Sequence, residues 1–252
     1  MSKILSIITP TFKDYKILKT YDSIQPLLKH EAVEWVVIDG YKSAENQLGN
    51  KLSNLNHVLY FNEKDNGIYD AMNKGINKAS GKYLWFLNSG DEMVIDEIKF
   101  LDILKQNLIT NAWLKFNFLI NSKERNEKVN SLYFVLNSPN HQASIVSREL
   151  FNNKRYNTKL DLAADYQFFL EIYYKDKIKP KPIYCTLFSY DLEGITAKPE
   201  QKNKIRIERI KSALNVFILT LNPLVLIVSL VQIFVYFPFI IWPSLGIKRF
   251  HD

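Results

Sequence analysis

Four short apolar runs joined by helix-period stretches fill the first ninety residues. The runs are Ile4–Thr9, Val33–Ile38, Val58–Phe61 and Tyr83–Leu87. Each has strand length and none alternates cleanly with polar residues, the pattern of a strand covered on both faces. Pro10 is expected to end the first, and Asp39-Gly40 gives the second turn chemistry. Between them, residues 14–28 place Ile17, Leu18, Tyr21, Ile24, Leu27 and Leu28 on one helical face. Leu48, Leu52 and Leu55 give a weaker second helix. Ile68, Met72, Ile76 and Ala79 give a third, with Gly81 as its stop. Such an order predicts an α/β fold, with a mostly parallel sheet, right-handed crossovers and helices on both faces.

After residue 97 the alternation stops. Ala112–Ile120 and Val129–Leu136 read as strands joined by a charged turn over Asn121–Lys128. Ser144–Ser147 and Ile183–Ser189 read as further strands, and residues 161–175 as a helix through Leu162, Tyr166, Phe169, Leu170 and Tyr173. Three segments follow: 1–97 and 98–196 as two halves of one domain, and 197–252 as a tail.

In open α/β sheets, ligands sit beyond the carboxyl ends of the strands. That rule selects Thr9-Pro10-Thr11, Asp39-Gly40, Asn62–Gly67 and Asn88–Asp91. All four are polar and turn-forming, although polar loops at strand ends are also ordinary.

Composition narrows the chemistry. One cysteine in 252 residues, Cys185, excludes a disulfide framework or a cysteine-rich zinc site. His30, His57, His141 and His251 have no metal-binding spacing. Net charge is +7, but residues 198–252 hold eight Lys/Arg against three acids, so +5 of it lies in the tail. Basic charge flanking an apolar segment points to a membrane surface rather than to nucleic acid. Met1-Ser2-Lys3 leads directly into the first strand, so the catalytic body is expected to stay in the cytoplasm.

Ser6-Ile-Ile-Thr-Pro-Thr11, Val36-Val-Ile-Asp-Gly40, Glu63–Gly75, Ala79-Ser-Gly81, Leu87-Asn-Ser-Gly-Asp91, His141-Gln-Ala143 and Ala163-Ala-Asp165 follow one another in order. Together they resemble the family-2 glycosyltransferases of the GT-A nucleotide-diphosphosugar fold, over roughly residues 3–196. The Asp65–Gly75 run looks like the subgroup that builds bacterial O-antigen, lipopolysaccharide, capsule and exopolysaccharide repeat units. The resemblance implies a UDP-sugar donor, UDP-glucose first, and a polyprenyl-diphosphate-linked saccharide acceptor. It implies Thr9, Pro10 and Thr11 at the uracil, Asp39 as the base-binding aspartate, and Asp65 and Asn73 beside the nucleoside. Asp39 also reads as a turn residue before Gly40, and Asp65 as a cap for the helix starting near Ile68.

A leaving diphosphate needs its charge neutralised, which implies Mn2+ or Mg2+ held by oxygen ligands. The family's Asp-x-Asp motif here reads Asn88-Ser89-Gly90-Asp91. Asp91 keeps the direct metal-ligand position, with Asn88 and Ser89 beside the donor; Asn88 and Gly90 remove negative charge. Asp91 could instead cap the next helix. Inverting transfer needs one base to take the acceptor hydroxyl proton. Asp165 matches that base, with Asp161 resembling an N-cap for the same helix. An acid on an amphipathic helix is otherwise usually its solvated face. His141-Gln142 resembles a pair near the donor sugar, with His141 a second catalytic candidate. Glu193–Thr196 resembles a mobile loop. No Q-x-x-R-W motif is present, which implies addition of a single sugar.

Two other classes compete. A glycosyltransferase-like binding module that has lost metal activity would explain the departure at residues 88–91. A sugar nucleotidyltransferase would want a Gly-rich loop where Pro10-Thr11-Phe12-Lys13 stands.

The tail holds 36 consecutive uncharged residues, Ser212 to Ile247, interrupted by Pro223, Pro238 and Pro243. The prolines are expected to break it into pieces too short to span singly. With Lys202–Lys211 before it and Lys248-Arg249 after it, a re-entrant hairpin or in-plane helices would keep both basic clusters on the cytoplasmic face of the inner membrane. A core helix pair of the soluble domain is the alternative.

Overall fold

The computed structural model describes residues 2–41, 47–55, 57–107, 109–190 and 201–244. In chain order these form β1 (Leu5–Thr11), α1 (Ile17–Leu28), β2 (Val33–Asp39), α2 (Gln47–Ser53), β3 (Val58–Asn62), α3 (Ile68–Lys78), β4 (Tyr83–Phe86), β5 (Glu92–Met93), α4 (Glu97–Gln106), β6 (Trp113–Ile120), β7 (Lys123–Arg125), α5 (Tyr133–Leu136) and β8 (Ser144–Ser147). A 3-10 turn over Arg148–Phe151 leads to α6 (Ala164–Leu170), which continues as π-type turns over Glu171–Lys175; β9 (Lys181–Ser189), α7 (Lys202–Thr220) and α8 (Pro223–Ser244) follow.

The sheet runs β3-β2-β1-β4-β8-β6-β9-β5, with β7 paired to β6. β3, β2, β1 and β4 are parallel, as expected. The second half is mixed: β8 pairs antiparallel with β4 and β6, and β9 pairs parallel with β6 but antiparallel with β5. Every residue of β1 and β2 is buried, which explains why apolar residues dominate both. Leu5, Ile7, Trp35 and Val37 share one core cluster with Ile17, Ile24 and Leu27 of α1. On the other face, Gly75 of α3 lies so close to Ile8 that a Cβ there would fall 2.4 Å from Ile8 Cγ2. Helices therefore cover both faces of this part of the sheet.

Two expectations are corrected. Pro10 does not end β1, which pairs with β2 through Thr11↔Asp39. Pairing with β4 stops at Ile8↔Phe86, so Pro10 needs no ladder donor on that side. Val129–Leu136 is not a strand. Asn121 and Ser122 both take left-handed φ, +49° and +59°, and make a tight two-residue turn. Strand β7 thus begins at once, with Ile120 opposite Lys123, and the later residues form α5 instead.

The chain divides into two compact units: 1–127 with 140–161 and 178–192, which holds the whole sheet, and 128–139 with 162–177 and 193–252. The second unit packs α5, α6, α7 and α8 together through buried polar contacts. Glu208 of α7 accepts from Leu162 N at 2.8 Å and Ala163 N at 3.0 Å, just before α6. Gln232 of α8 donates to Phe134 O at 3.1 Å and to Tyr166 Oη at 2.8 Å.

Within the tail, Leu221 adopts left-handed φ and ends α7, and Pro223 opens α8, where its missing N–H costs nothing. Pro238 and Pro243, expected to break the helix, lie inside α8. The Arg206 guanidinium sits 4.3 Å over the Phe239 ring and 5.9 Å over that of Tyr236, holding the helix on both sides of Pro238. Among the described residues, no helix is long and apolar enough to cross a membrane. Glu193–Thr196 and Lys248-Arg249 lie outside the described residues.

Candidate active site

The carboxyl ends of β1, β2 and β4 in the first unit bring most of the expected donor-site residues together. Asp39 ends β2 and is 0% exposed. Its Oδ1 accepts from Tyr41 N at 2.9 Å, so the turn reading holds, and its Oδ2 accepts from Tyr60 Oη at 2.7 Å. The next residue fixes a second acid, because a Cβ on Gly40 would fall 2.0 Å from Asp65 Oδ2. Only a glycine lets the Asp65 carboxylate lie against the end of β2. Asp65 does not cap α3, whose N-cap is Gly67; its Oδ1 accepts from Gly67 N at 3.0 Å and shapes the loop.

Beside this pair stand two aromatics that the sequence reading did not single out. Phe12, 66% exposed, packs edge-on against Tyr41 with centroids 5.6 Å apart, and Lys13 Nζ lies 4.7 Å over the Tyr41 ring. An aromatic held in solvent next to a carboxylate is suited to stacking a flat heterocycle. The available signal was position: Phe12 follows directly on β1, and Tyr41 comes two residues after β2.

Other expected residues have internal duties. Thr9 Oγ1 donates to Leu87 O at 2.7 Å and accepts from Trp35 Nε1 at 2.8 Å. Pro10 is buried within β1. Asn73 spends both ends of its amide on the Tyr156 backbone, at 2.9 Å each, and so clips α3 to the segment after the 3-10 turn.

The Asn88–Asp91 loop is held from behind by Gln142. The Gln142 side chain accepts from Asn88 N at 2.7 Å, while its backbone carbonyl accepts from Trp85 Nε1 at 2.8 Å. Gln142 is placed in turn by Asn140, whose Oδ1 accepts from Gln142 N at 2.9 Å. Behind Asn140 lies the buried pair Lys115–Glu127, 2.7 Å apart, with Glu127 accepting from Asn140 N at 2.9 Å. Burial pushes the Lys115 ammonium below its usual range, and the Glu127 carboxylate opposes that shift. His141 is half-buried, and its carbonyl accepts from Ser144 N at 3.1 Å. The positioning residue of the His-Gln pair is therefore Gln142. Truncating it to Ala should leave the Asn88 amide buried without a partner, at a cost of about 1–3 kcal/mol. A thermal melt in which the Ala variant falls by several degrees is the expected outcome.

Around this framework lie side-chain polar atoms that are buried and have no protein partner: Thr11 Oγ1, Asn88 Oδ1, Ser89 Oγ and Gln142 Nε2. Buried polar atoms are nearly always satisfied, so a group of them at the strand ends makes this place a candidate for a polar ligand.

Asp91 is 3% exposed and does not cap the next helix; that role falls to Asp96, whose side chain accepts from Lys99 N at 2.9 Å. Gly90, with φ +93°, turns the chain before Asp91, and its amide donates to Thr20 Oγ1 at 2.9 Å. Among the described residues, no three His, Cys, Asp or Glu are grouped to hold a metal ion. Asp91 with the unsatisfied Asn88 Oδ1 fits a hard cation only if the ligand's own oxygens complete the shell.

Asp165 lies in the second unit, in the first turn of α6, half-exposed between the buried Ala164 and Tyr166. Its Oδ1 accepts from Tyr166 N at 2.8 Å. The expected cap role of Asp161 is not what the start of α6 shows. Its N-cap position is Ala163, and the amides of Leu162 and Ala163 bind Glu208. Glu208 was missed because it lies 46 residues away from Leu162 in the sequence.

The family model for Glycosyl transferase family 2 matches residues 6–101. An uncharacterized glycosyltransferase of Mycobacterium tuberculosis is 36% identical over 88 residues, which is 34% of this chain and 34% of that protein. The match thus spans about a third of the length of that relative. WcaA of Escherichia coli strain K12, named for colanic acid biosynthesis, is 23% identical over 185 residues, 67% of this chain and 66% of its own length. Among solved structures, S. aureus TarS 1–349 in complex with UDP-GlcNAc has a TM-score of 0.59 at 17% identity, covering 84% of this chain and 67% of that one. The mannosyltransferase PcManGT of Pyrobaculum calidifontis, in complex with GDP-Man and Mn2+, has a TM-score of 0.60 at 12% identity, covering 98% and 74%. These two likenesses show the fold. With the strand-end cluster and the ordered motifs, residues 6–101 are similar to the glycosyl transferase family 2 domain, and the match and the relatives together support a glycosyltransferase.

Proposed function

We propose that the chain transfers one sugar, with inversion, from a UDP-sugar to an undecaprenyl-diphosphate-linked saccharide at the cytoplasmic face of a bacterial inner membrane. The pathway class is surface polysaccharide synthesis, and the first donor to test is UDP-glucose. The observation that carries the donor half is the group of unsatisfied buried polar atoms on Thr11, Asn88, Ser89 and Gln142. They sit at strand ends, where the family's donor is expected, beside the Asp39–Asp65 pair and the Phe12–Tyr41 aromatics.

In this reading Phe12 and Tyr41 stack the base and Asp39 anchors it. Asp165 takes the acceptor hydroxyl proton. Mn2+ or Mg2+, when bound, would neutralise charge on the leaving diphosphate. Asp91 and Asn88 would hold it. The fold-level likeness to a Mn2+ complex and to a UDP-GlcNAc complex supports this reading. The acceptor class rests on the resemblance to the polysaccharide subgroup and on the likeness to WcaA.

Gly40→Ala tests the placement by displacing the Asp65 carboxylate, which also gives up its exposed bond from Gly67 N. The clash is with the mobile end of the Asp65 side chain, so stability should change little while Asp65 swings away. UDP affinity is expected to fall several-fold at nearly constant melting temperature. Unchanged affinity would remove Asp65 from the site. The reading as a metal-free binding module draws on Asn88 and Gly90 replacing acids. Release of UDP from UDP-sugars, with and without Mn2+ and across synthetic lipid-linked acceptors, separates it from the enzyme.

A further inference from the structure

Helix α8 is built inside out. Its buried face carries Val225, Val228, Ser229, Gln232 and Tyr236, so Ser229, Gln232 and Tyr236 point into the protein. Each is bonded there: Ser229 Oγ to Val225 O at 2.9 Å, Gln232 Nε2 to Phe134 O and Tyr166 Oη, and Tyr236 Oη to Leu136 O at 3.4 Å. The opposite face carries Leu224, Ile227, Leu230, Val231, Phe234 and Phe237, all exposed. The end of α7 continues it with exposed Ile218 and Leu219, and Leu221 follows at the turn. A helix docked on a water-soluble body ordinarily buries its apolar stripe and shows its polar one. The reversal, over a patch this long, is the mark of a surface meant for an apolar partner.

We propose that this outward face of α8 seats in one leaflet of an anionic lipid bilayer, with the helix lying in the membrane plane. Three arguments select lipid. The first is charge: α7 carries exposed Lys202, Lys204 and Lys211, matched to anionic headgroups, and the tail holds +5 of the chain's +7. A second copy of the chain would have to bring two such basic helices together. The second is length. Among the described residues no helix is long and apolar enough to cross the roughly 30 Å hydrocarbon core, whereas the exposed face from Leu224 to Phe237 is suited to in-plane burial of about 5–10 Å. The third is anchorage. Gln232 and Tyr236 fasten the inner face to α5 and α6, so the helix cannot turn to hide its apolar side without breaking those bonds.

The proposal deepens the membrane part of the function above, but its test uses no sugar nucleotide, so the two can fail separately. The full chain is sedimented with phosphatidylcholine vesicles and with vesicles containing about a third phosphatidylglycerol. Ile227→Asp and Phe234→Asp place one charge each on the exposed face, where the fold does not need the residue. Circular dichroism and a thermal melt confirm that they fold. Lys202, Lys204 and Lys211 are changed together to Gln in a third variant.

The wild type is expected to partition strongly to anionic vesicles, each Asp variant at least tenfold less, and the triple Gln variant roughly 100-fold less, about fivefold per lysine. Partition of the folded Asp variants equal to wild type would overturn the proposal. So would a lipid-free dimer of the wild type that Ile227→Asp dissociates, with no vesicle binding, since the face would then belong to a second copy.

Discussion

Asp91→Asn should abolish metal-stimulated sugar transfer while leaving the fold intact. Asp91 is the only carboxylate left in the Asn88–Asp91 loop, and its replacement keeps the shape while removing the charge. Losing a metal carboxylate costs on the order of several kcal/mol of transition-state charge stabilisation, at least about 100-fold in rate. Because Gln142, Gly90 and Thr20 hold this loop through backbone amides, the loop should keep its path in the variant. The measurement is UDP release against Mn2+ concentration. The wild type should show saturable stimulation and the variant none. Full wild-type activity in EDTA would end the metal assignment.

Asp165→Asn should lower the catalytic rate by roughly 10²–10⁴, the usual loss when a general base is removed, with little change in UDP affinity. The split between rate and affinity is the informative part. Asp165 lies in the helical unit and Asp39, Asp65 and Asn88 in the sheet unit, so a base and a donor ligand should fail independently. A collapse of UDP binding in Asp165→Asn would reassign it as a structural or nucleotide residue. Glu208→Gln supplies the comparison, because it weakens the hold on the amides before α6 without altering the acid itself. It should lower stability more than it lowers the rate per folded molecule. Removing the whole tail would be a poorer experiment, since it takes Glu208 and Gln232 away from the segment bearing Asp165.

The first four strands were legible because strands buried on both faces are mostly apolar, as β1, β2 and β4 are; β3, at the sheet edge, is only partly buried. Their ends were less so: whether Pro10 belongs to β1 depends on where β4 stops pairing, which is not a local property. The misplaced strand at Val129–Leu136 came from reading Asn121–Lys128 as one long turn. Two left-handed residues made it a hairpin. At the site, the strand-end rule selected the segments that hold Asp39, Asp65, Asn88 and Asp91, and the family resemblance supplied their expected roles. The contact between Gly40 and Asp65, and the duties of Gln142 and Glu208, depend on bonds or contacts between residues 25 to 54 positions apart and left no local pattern. The tail is a middle case. Its apolar composition was plain. That Ser229, Gln232 and Tyr236 share one helical face follows from their spacing of three and four residues, but their inward placement reverses the usual pattern and needed the structure.

The central claim is that the strand-end cluster of the sheet unit binds a nucleoside diphosphate together with a divalent cation. Calorimetric titration of UDP into the purified chain, in Mn2+ and again in EDTA, tests it most directly. The account predicts saturable binding at one site in Mn2+, weakened at least tenfold by EDTA and weakened likewise by Asp91→Asn. UDP binding of equal strength in Mn2+, in EDTA and in the Asp91→Asn variant, or no UDP binding under any of these conditions, would contradict it.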